Sequence, residues 1–159
     1  MAQIVIARVE DLTDEGLARW VAGVPLPRFD SAPWVPPPPL RASRVAIVTT
    51  AGLHRRGDEA FAVGEGGYRV LPGDVAAQEL LMSHISVNFD RSGFQEDANL
   101  VFPIDHLRDY ESDGTIGSLA DFHYSFMGAS DPDVMVDAAK QVAGMLKRDN
   151  VDTVLLTPV

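Results

Sequence analysis

Two stretches of the chain carry the plainest hydrophobic patterns. Ser43-Arg-Val-Ala-Ile-Val-Thr-Thr-Ala-Gly52 is a β-branched apolar run that closes on small residues and a glycine, and it predicts a buried strand ending in a tight turn. Near the other end, Ser130-Asp-Pro-Asp133 offers an N-cap oxygen, a proline at the first helical position and an early carboxylate. Val134, Ala138, Val142 and Met145 then recur on one helical face, so a helix is expected to about Arg148, feeding a second buried strand over Val151 to Leu156. Between these anchors the pattern is weaker. Tyr68 to Leu71 reads as an edge strand, Asp74 can cap a helical turn through Leu81, and Leu81 to Phe89 fits either strand or helix. Asn99 to Ile104 reads as an extended segment leading to a helix from Asp105 to about Glu111 that ends near Gly114. Strand, intervening helices, capped helix and strand give a βαβ grammar. The expected fold is α/β, with an open, mainly parallel, Rossmann-like sheet and flanking helices.

Ahead of this body, residues 1–40 read as an arm. A helix is expected from Asp14 to Val21, capped by Thr13. Seven of the eleven prolines follow: Pro25, Pro27, Pro33 and Pro36 to Pro39. Fixed φ and missing donors make such a segment extended and semi-rigid, either wrapping the body through Phe29 and Trp34 or serving as a ligand for an aromatic groove. Residues 41–159 are then the single α/β domain.

Bulk composition narrows the partners. At 159 residues the chain is long enough to bury roughly 70% of its unfolded surface in one core without covalent staples. No window is apolar enough to span a membrane, and no basic region precedes the apolar Ile4-Val-Ile6, so a cytoplasmic protein is expected. A net charge of -10 with no basic cluster repels phosphate backbones and argues against nucleic acid, leaving small molecules and other proteins. The absence of cysteine removes disulfides, thiolate metal sites and thiol nucleophiles from the chain as given.

Candidate chemistry gathers in three places. The turn after the first strand, with Thr50, Gly52 and His54, can aim backbone N–H groups at a ligand, although it has neither the GxGxxG pattern nor a Walker lysine. The run from Ser83 to Asn99 collects His84, Asp90, Arg91, Asp97 and Asn99; it suits a zwitterionic substrate or a divalent metal, and it equally suits a polar loop whose asparagines close turns. No HxH, HExxH or HxxxD spacing fixes a ligand set, so no metal site is assigned. The third cluster is Asp121-Phe-His-Tyr-Ser-Phe-Met-Gly128, where His123 exchanges protons near neutral pH and Tyr124 and Ser125 donate hydrogen bonds. The same aromatic residues and methionine also read as core, and Ser125 lacks the GxSxG elbow of a serine hydrolase.

Taken in order, Val48-Thr-Thr-Ala-Gly-Leu-His54, Ser83-His84 with Asp90, Asp97-Ala-Asn-Leu-Val-Phe-Pro-Ile-Asp105, Gly114-Thr-Ile-Gly-Ser-Leu-Ala120 and His123-Tyr-Ser-Phe-Met-Gly128 resemble the selenoprotein (B-type) subunit family of the glycine, sarcosine, betaine and D-proline reductases. The D-proline reductase type is the nearest in pattern, and the resemblance spans about Arg44 to Val159. It implies reductive cleavage of a carbon–nitrogen bond in an amino acid or related amine, with selenocysteine or cysteine directly after the segment resembling Val154-Leu-Leu-Thr-Pro-Val159. It also implies a partner subunit carrying a pyruvoyl group, a thiol reductant and, with them, room for a homo-oligomer. On this resemblance His123, Tyr124 and His84 are the expected catalytic residues. Thr50, Gly52, His54, Asp90, Asn99 and Ser125 are expected at the substrate. No cofactor is expected within the chain itself, and as an isolated chain without its nucleophile it is expected to be inactive. The proline-rich arm and His106, which follows Pro-Ile-Asp where relatives often carry a basic residue, depart from the family pattern. The alternative is a non-redox small-molecule or metal-binding α/β domain using His84, Asp90, Asp97 and His123.

Overall fold

The computed structural model describes residues 14–23, 30, 35–86 and 91–159. Contacts divide the chain into two units, residues 1–33 and 34–159. In the first, α1 spans Asp14–Gly23; its expected cap Thr13 lies outside the described residues, as do Phe29, Trp34 and most of the proline-rich segment. Residues 35–39 have no regular secondary structure and are mostly exposed, and the Pro38 and Pro39 carbonyls accept hydrogen bonds from the Ser43 hydroxyl.

The second unit is α/β, built on β1 (Arg44–Thr49). The expected strand forms because Val45, Ala46, Ile47 and Thr49 are buried on both faces, as a central parallel strand requires. Three parallel partners surround it: β5 (Ser118–Leu119) and β6 (Phe122–Phe126) share one side, and β7 (Thr153–Thr157) lies on the other. The edge strand expected at Tyr68 is β3 (Tyr68–Pro72), which runs antiparallel to β6. The main sheet is therefore mainly parallel, as expected, through the three pairings of β1, and it is mixed because its β3 edge runs antiparallel. A separate antiparallel pair joins β2 (Leu53–Arg55) to β4 (Leu80–Met82); of the stretch from Leu81 to Phe89 that fits either strand or helix, only Leu81 and Met82 are in a strand, residues 83–86 have no regular structure, and 87–89 lie outside the described residues.

Of the α-helices of this unit only the last has a side-chain N-cap. α2 (Ser92–Glu96) is a short turn; α3 (Ile104–Ser112) begins after Pro103 and buries Ile104 and Leu107. α4 (Pro132–Arg148) starts with Asp131 accepting from the Asp133 N–H, has proline in its first turn, and ends in Lys147 and Arg148. The chain leaves it through Asn150 in the left-handed region, φ 55°. α4 covers one face of the sheet, packing Ala138, Val142, Met145 and Leu146 on Tyr68, Tyr124 and Phe126. Val134, expected on that buried face, is instead 52% exposed, and Met135 is the residue of the first turn that packs on the core. The larger core lies with the other elements, around Ile47, Leu53, Leu71, Phe102 and Leu107.

One irregularity organises the centre. Between the pairs Val45 with Leu119 and Val48 with Tyr124, two residues of β1 face four of the β5–β6 segment. Such a bulge breaks the ladder and leaves a central N–H in need of an acceptor. His123 supplies it: its Nδ1 accepts from the Ile47 N–H at 3.0 Å. Arg44 anchors the same break from the amino-terminal edge, donating to the Leu119 carbonyl, to Ser118 Oγ at 3.3 Å, to Asp121 Oδ1 at 3.0 Å and to the Asp149 carboxylate, while Asp149 Oδ2 accepts from the Asp121 N–H at 2.9 Å.

Candidate active site

The carboxyl ends of β1, β6 and β7 meet at Thr50, Gly128 and Val159. The Thr50 N–H donates to the Thr157 carbonyl at 3.2 Å, extending the β1–β7 ladder by one residue. The Thr50 hydroxyl accepts from the Val159 N–H at 2.8 Å and donates to the Val159 carbonyl at 3.4 Å. From the other side Gly128 donates to the Thr50 carbonyl at 2.8 Å. A Cβ on Gly128 would stand 2.6 Å from the Val159 oxygen and 2.9 Å from the Thr50 oxygen, so only glycine allows the three backbones to approach this closely. Thr50, Gly128 and Val159 are half-buried, so this clasp is reachable from solvent.

His84 reaches the same neighbourhood through Gly52. The turn after β1 needs a positive φ at Gly52, +65°, and its N–H donates to the Phe126 carbonyl at 2.8 Å. The Gly52 carbonyl accepts from the Ser83 N–H at 3.0 Å, and a Cβ on Gly52 would lie 3.0 Å from the His84 nitrogen. The segment with His84 is thus laid against the turn backbone to backbone. His84 is buried, its Nδ1 accepts from the Ser86 N–H at 3.3 Å, and Arg91 donates to its carbonyl. Burial first, and the Arg91 charge second, lower its pKa and favour the neutral ring.

The remaining predicted site residues fall elsewhere. His123 and Ser125 are wholly buried beneath the clasp, with Ser125 Oγ accepting from the Leu53 N–H at 2.7 Å and the His123 ring edge-on to Phe102 at 5.6 Å. His123 Nε2 has no hydrogen-bond partner among the described residues. Burial lowers the His123 pKa to about 4, helped by the charges of Arg108 and Arg44 and opposed in part by Asp149. Tyr124, one residue along β6, points to the opposite face against α4 and makes an edge contact with Tyr68 at 6.0 Å; burial raises its pKa. His54 lies buried in β2 and donates from Nδ1 to the Arg55 carbonyl at 3.1 Å. Asn99 closes the turn into α3, its Oδ1 accepting from the Asp105 N–H at 3.1 Å, while Asp97 caps the preceding turn by accepting from the Asn99 N–H at 2.9 Å. Asp90 lies outside the described residues. Among the described residues no three His, Asp or Glu side chains converge on a site that could hold a metal ion. Two surface pockets among the described residues, about 480 and 540 Å³, share Asp121 and Phe122 at the amino-terminal end of β6, the edge opposite the clasp.

Of the predicted residues, then, the structure assembles Thr50, Gly52 and His84. It sets His123 and Ser125 behind them and separates Tyr124, His54 and Asn99. Gly128 and Val159 complete the clasp without having been singled out as site residues. The available signal for Gly128 was a glycine closing an aromatic run, and its need for close approach emerges only when β7 is in place.

An α/β domain with a backbone clasp at the carboxyl edge of its central parallel strands has the ligand-facing edge typical of α/β enzymes. Residues 9–159 match the family model described as glycine/sarcosine/betaine reductase selenoprotein B, and the chain belongs to that family. It is 34% identical over 135 residues to the D-proline reductase subunit gamma of Acetoanaerobium sticklandii, covering 79% of this chain and 55% of that protein. It is 31% identical over 141 residues to the glycine reductase complex component B subunit gamma of Symbiobacterium thermophilum, and 34% identical over 146 residues to the sarcosine reductase complex component B subunit beta of Peptoclostridium acidaminophilum. In both of these the match covers 84% of this chain and 32% of the relative. The chain thus spans about half, or about a third, of the curated relatives it matches. No solved structure matches it. No described helix is long and apolar enough to cross a membrane.

Proposed function

We propose that this chain is the amino-terminal portion of a selenocysteine- or cysteine-dependent reductase subunit that cleaves a carbon–nitrogen bond in an amino acid or related amine. The redox residue of this reading stands directly after Val159. The observation that carries it is the clasp: Thr50 and Gly128 hold the Val159 backbone at the carboxyl edge of β1, beside the Gly52 turn and His84. A residue attached to Val159 would begin at the edge where α/β proteins collect their chemistry. The donor set fits a nucleophile supplied from there, since the chain contains no cysteine and the clasp offers only a hydroxyl and backbone groups.

A selenolate or thiolate at that position would form a bond to the carbon that bears the amine while the nitrogen leaves with the C–N bonding pair and takes up a proton; a dithiol would then attack the chalcogen, the carbon leaving with that bonding pair to be protonated, and the second thiol would close a disulfide and release the chalcogenolate. The chain's own residues have separate tasks in this reading. Thr50 and Gly128 fix the direction in which the chain leaves β7, and Gly52 presents the neutral His84 beside it. His123 acts as a positioning residue, since its Nδ1 is committed to Ile47 and holds β6 in register with β1. The relatives named as components of reductase complexes support an assembly with partner subunits. A pyruvoyl-bearing partner for the substrate amine, a thiol reductant and a Rossmann-like order for the complete sheet belong to the same reading.

The test is the coding sequence beyond Val159, together with the intact mass of the natural protein. An in-frame UGA read as selenocysteine, or a cysteine codon, is expected at the next position. A different sense codon there, with no cysteine in the following stretch, removes the redox mechanism.

A further inference from the structure

β7 has the composition of an interior strand and stands at an edge. Strands of parallel sheets covered on both faces read as continuous apolar runs, and Val154-Leu155-Leu156 is such a run, with no charge or proline inside Thr153–Thr157. Its register against β1 sets Val154 and Leu156 beside Ala46 and Val48 on the α4 face, and Leu155 beside Ile47 on the opposite face. Ala46 and Ile47 are fully buried, yet Val154 and Leu155 are each 37% exposed and Leu156 is 68% exposed. On one face α4 packs with Tyr124, Phe126, Tyr68 and Val48 and with no residue of β7, which leaves Val154 and Leu156 uncovered; on the other face Leu155 stands outside the core cluster. Among the described residues β7 pairs only with β1, so its outer edge has no strand partner. Natural edge strands are blunted by lysine, proline or a bulge, and β7 has none of these within its span.

We infer that β7 is an interior strand in the full-length polypeptide, with a segment following Val159 adding a parallel strand along its outer edge and a crossover helix over Leu156. This rests on the proposed reading that the chain continues past Val159. The length is available: the match to the D-proline reductase subunit gamma covers 55% of that protein, leaving on the order of a hundred residues outside it, and a parallel crossover needs a dozen or more. The direction is also right, because Val159 leaves β7 at the carboxyl edge, from which such a crossover departs. A second copy is a poorer occupant. Two β7 edges related by a two-fold axis would meet antiparallel and would still leave the face of Leu156 without a covering helix.

The test compares the full-length polypeptide, carrying cysteine wherever selenocysteine is encoded, with residues 1–159, by hydrogen exchange and thermal melting. The β7 amides that point away from β1 are expected to exchange on the order of 100-fold more slowly in the full-length chain. Leu156→Lys should leave the melting temperature of residues 1–159 unchanged and lower that of the full-length chain by roughly 5 °C or more, since there the ammonium would be buried. Equal exchange and equal tolerance of Leu156→Lys in both chains would overturn the inference. Protection already present in residues 1–159, appearing only as concentration rises, or appearing only when a partner subunit is added would overturn it too, by assigning the edge to an inner segment, a second copy or a partner. Each of these leaves the proposed redox function standing. An ordinary stop directly after Val159 would instead end both, and it is read from the gene before any exchange experiment.

Discussion

The His123→Gln variant separates what this histidine does for the fold from what its residue type promises. In the folded chain Nδ1 accepts from the Ile47 N–H, so the single ring proton sits on Nε2, buried and without a partner among the described residues. Protonating Nδ1 would turn two donors toward each other inside the core. Burial accordingly lowers the pKa from its ordinary 6.5 to about 4. The unfolded chain takes up a proton near pH 6.5 and the folded chain only near 4, so between those values the unfolded state binds more protons and stability falls as pH falls. The difference corresponds to about 3 kcal/mol, all of it retained at pH 7 and most of it gone by pH 4. Glutamine offers an acceptor oxygen but does not titrate, so the carboxylates that also titrate in this range cancel in the comparison. Urea denaturation of both proteins from pH 7.5 to 4 is the assay, with the stability advantage of the natural chain over His123→Gln expected to shrink by about 3 kcal/mol across the window. An advantage independent of pH, or an NMR titration of His123 near 6.5, would refute the argument that its ring is sealed in the bulge.

Other substitutions probe the clasp and the sheet edge. Thr50→Val removes the hydroxyl that holds Val159; a loss of about 1 kcal/mol by thermal melting is expected, with faster exchange of the Val159 amide. Gly128→Ala places a methyl 2.6 Å from the Val159 oxygen, and a cost of roughly 1–3 kcal/mol is expected; limited proteolysis should show residues 157–159 released while α4 stays protected. In the full-length reductase of the proposed reading, the same change should abolish turnover without preventing assembly, and retained turnover would count against the clasp as the reactive edge. Arg44→Met leaves the Leu119 carbonyl and the mostly buried Asp149 carboxylate without their cation, so a destabilisation of about 2 kcal/mol is expected, measurable by denaturant titration at pH 7.

Sequence alone determined the elements whose causes are local. β1 follows from a β-branched run, α4 from Asp131, Pro132 and Asp133 at its start, and β3 from the short run Tyr68 to Leu71, because propensity and capping act over a few residues. The family was legible too, since it is carried by ordered short motifs rather than by contacts. What only the tertiary structure decided is which motif residues meet. Along β6 adjacent side chains point to opposite faces, so His123 and Tyr124, neighbours in the sequence, are parted by the sheet itself. The bulge that recruits His123 as an acceptor depends on register between strands about 75 residues apart, which no local pattern encodes. Thr50, Gly52, His84, Gly128 and Val159 become one edge for the same reason: long-range pairing through β1 and β7 sets their approach, and the space at Gly128 has meaning only once the Val159 carbonyl fills it.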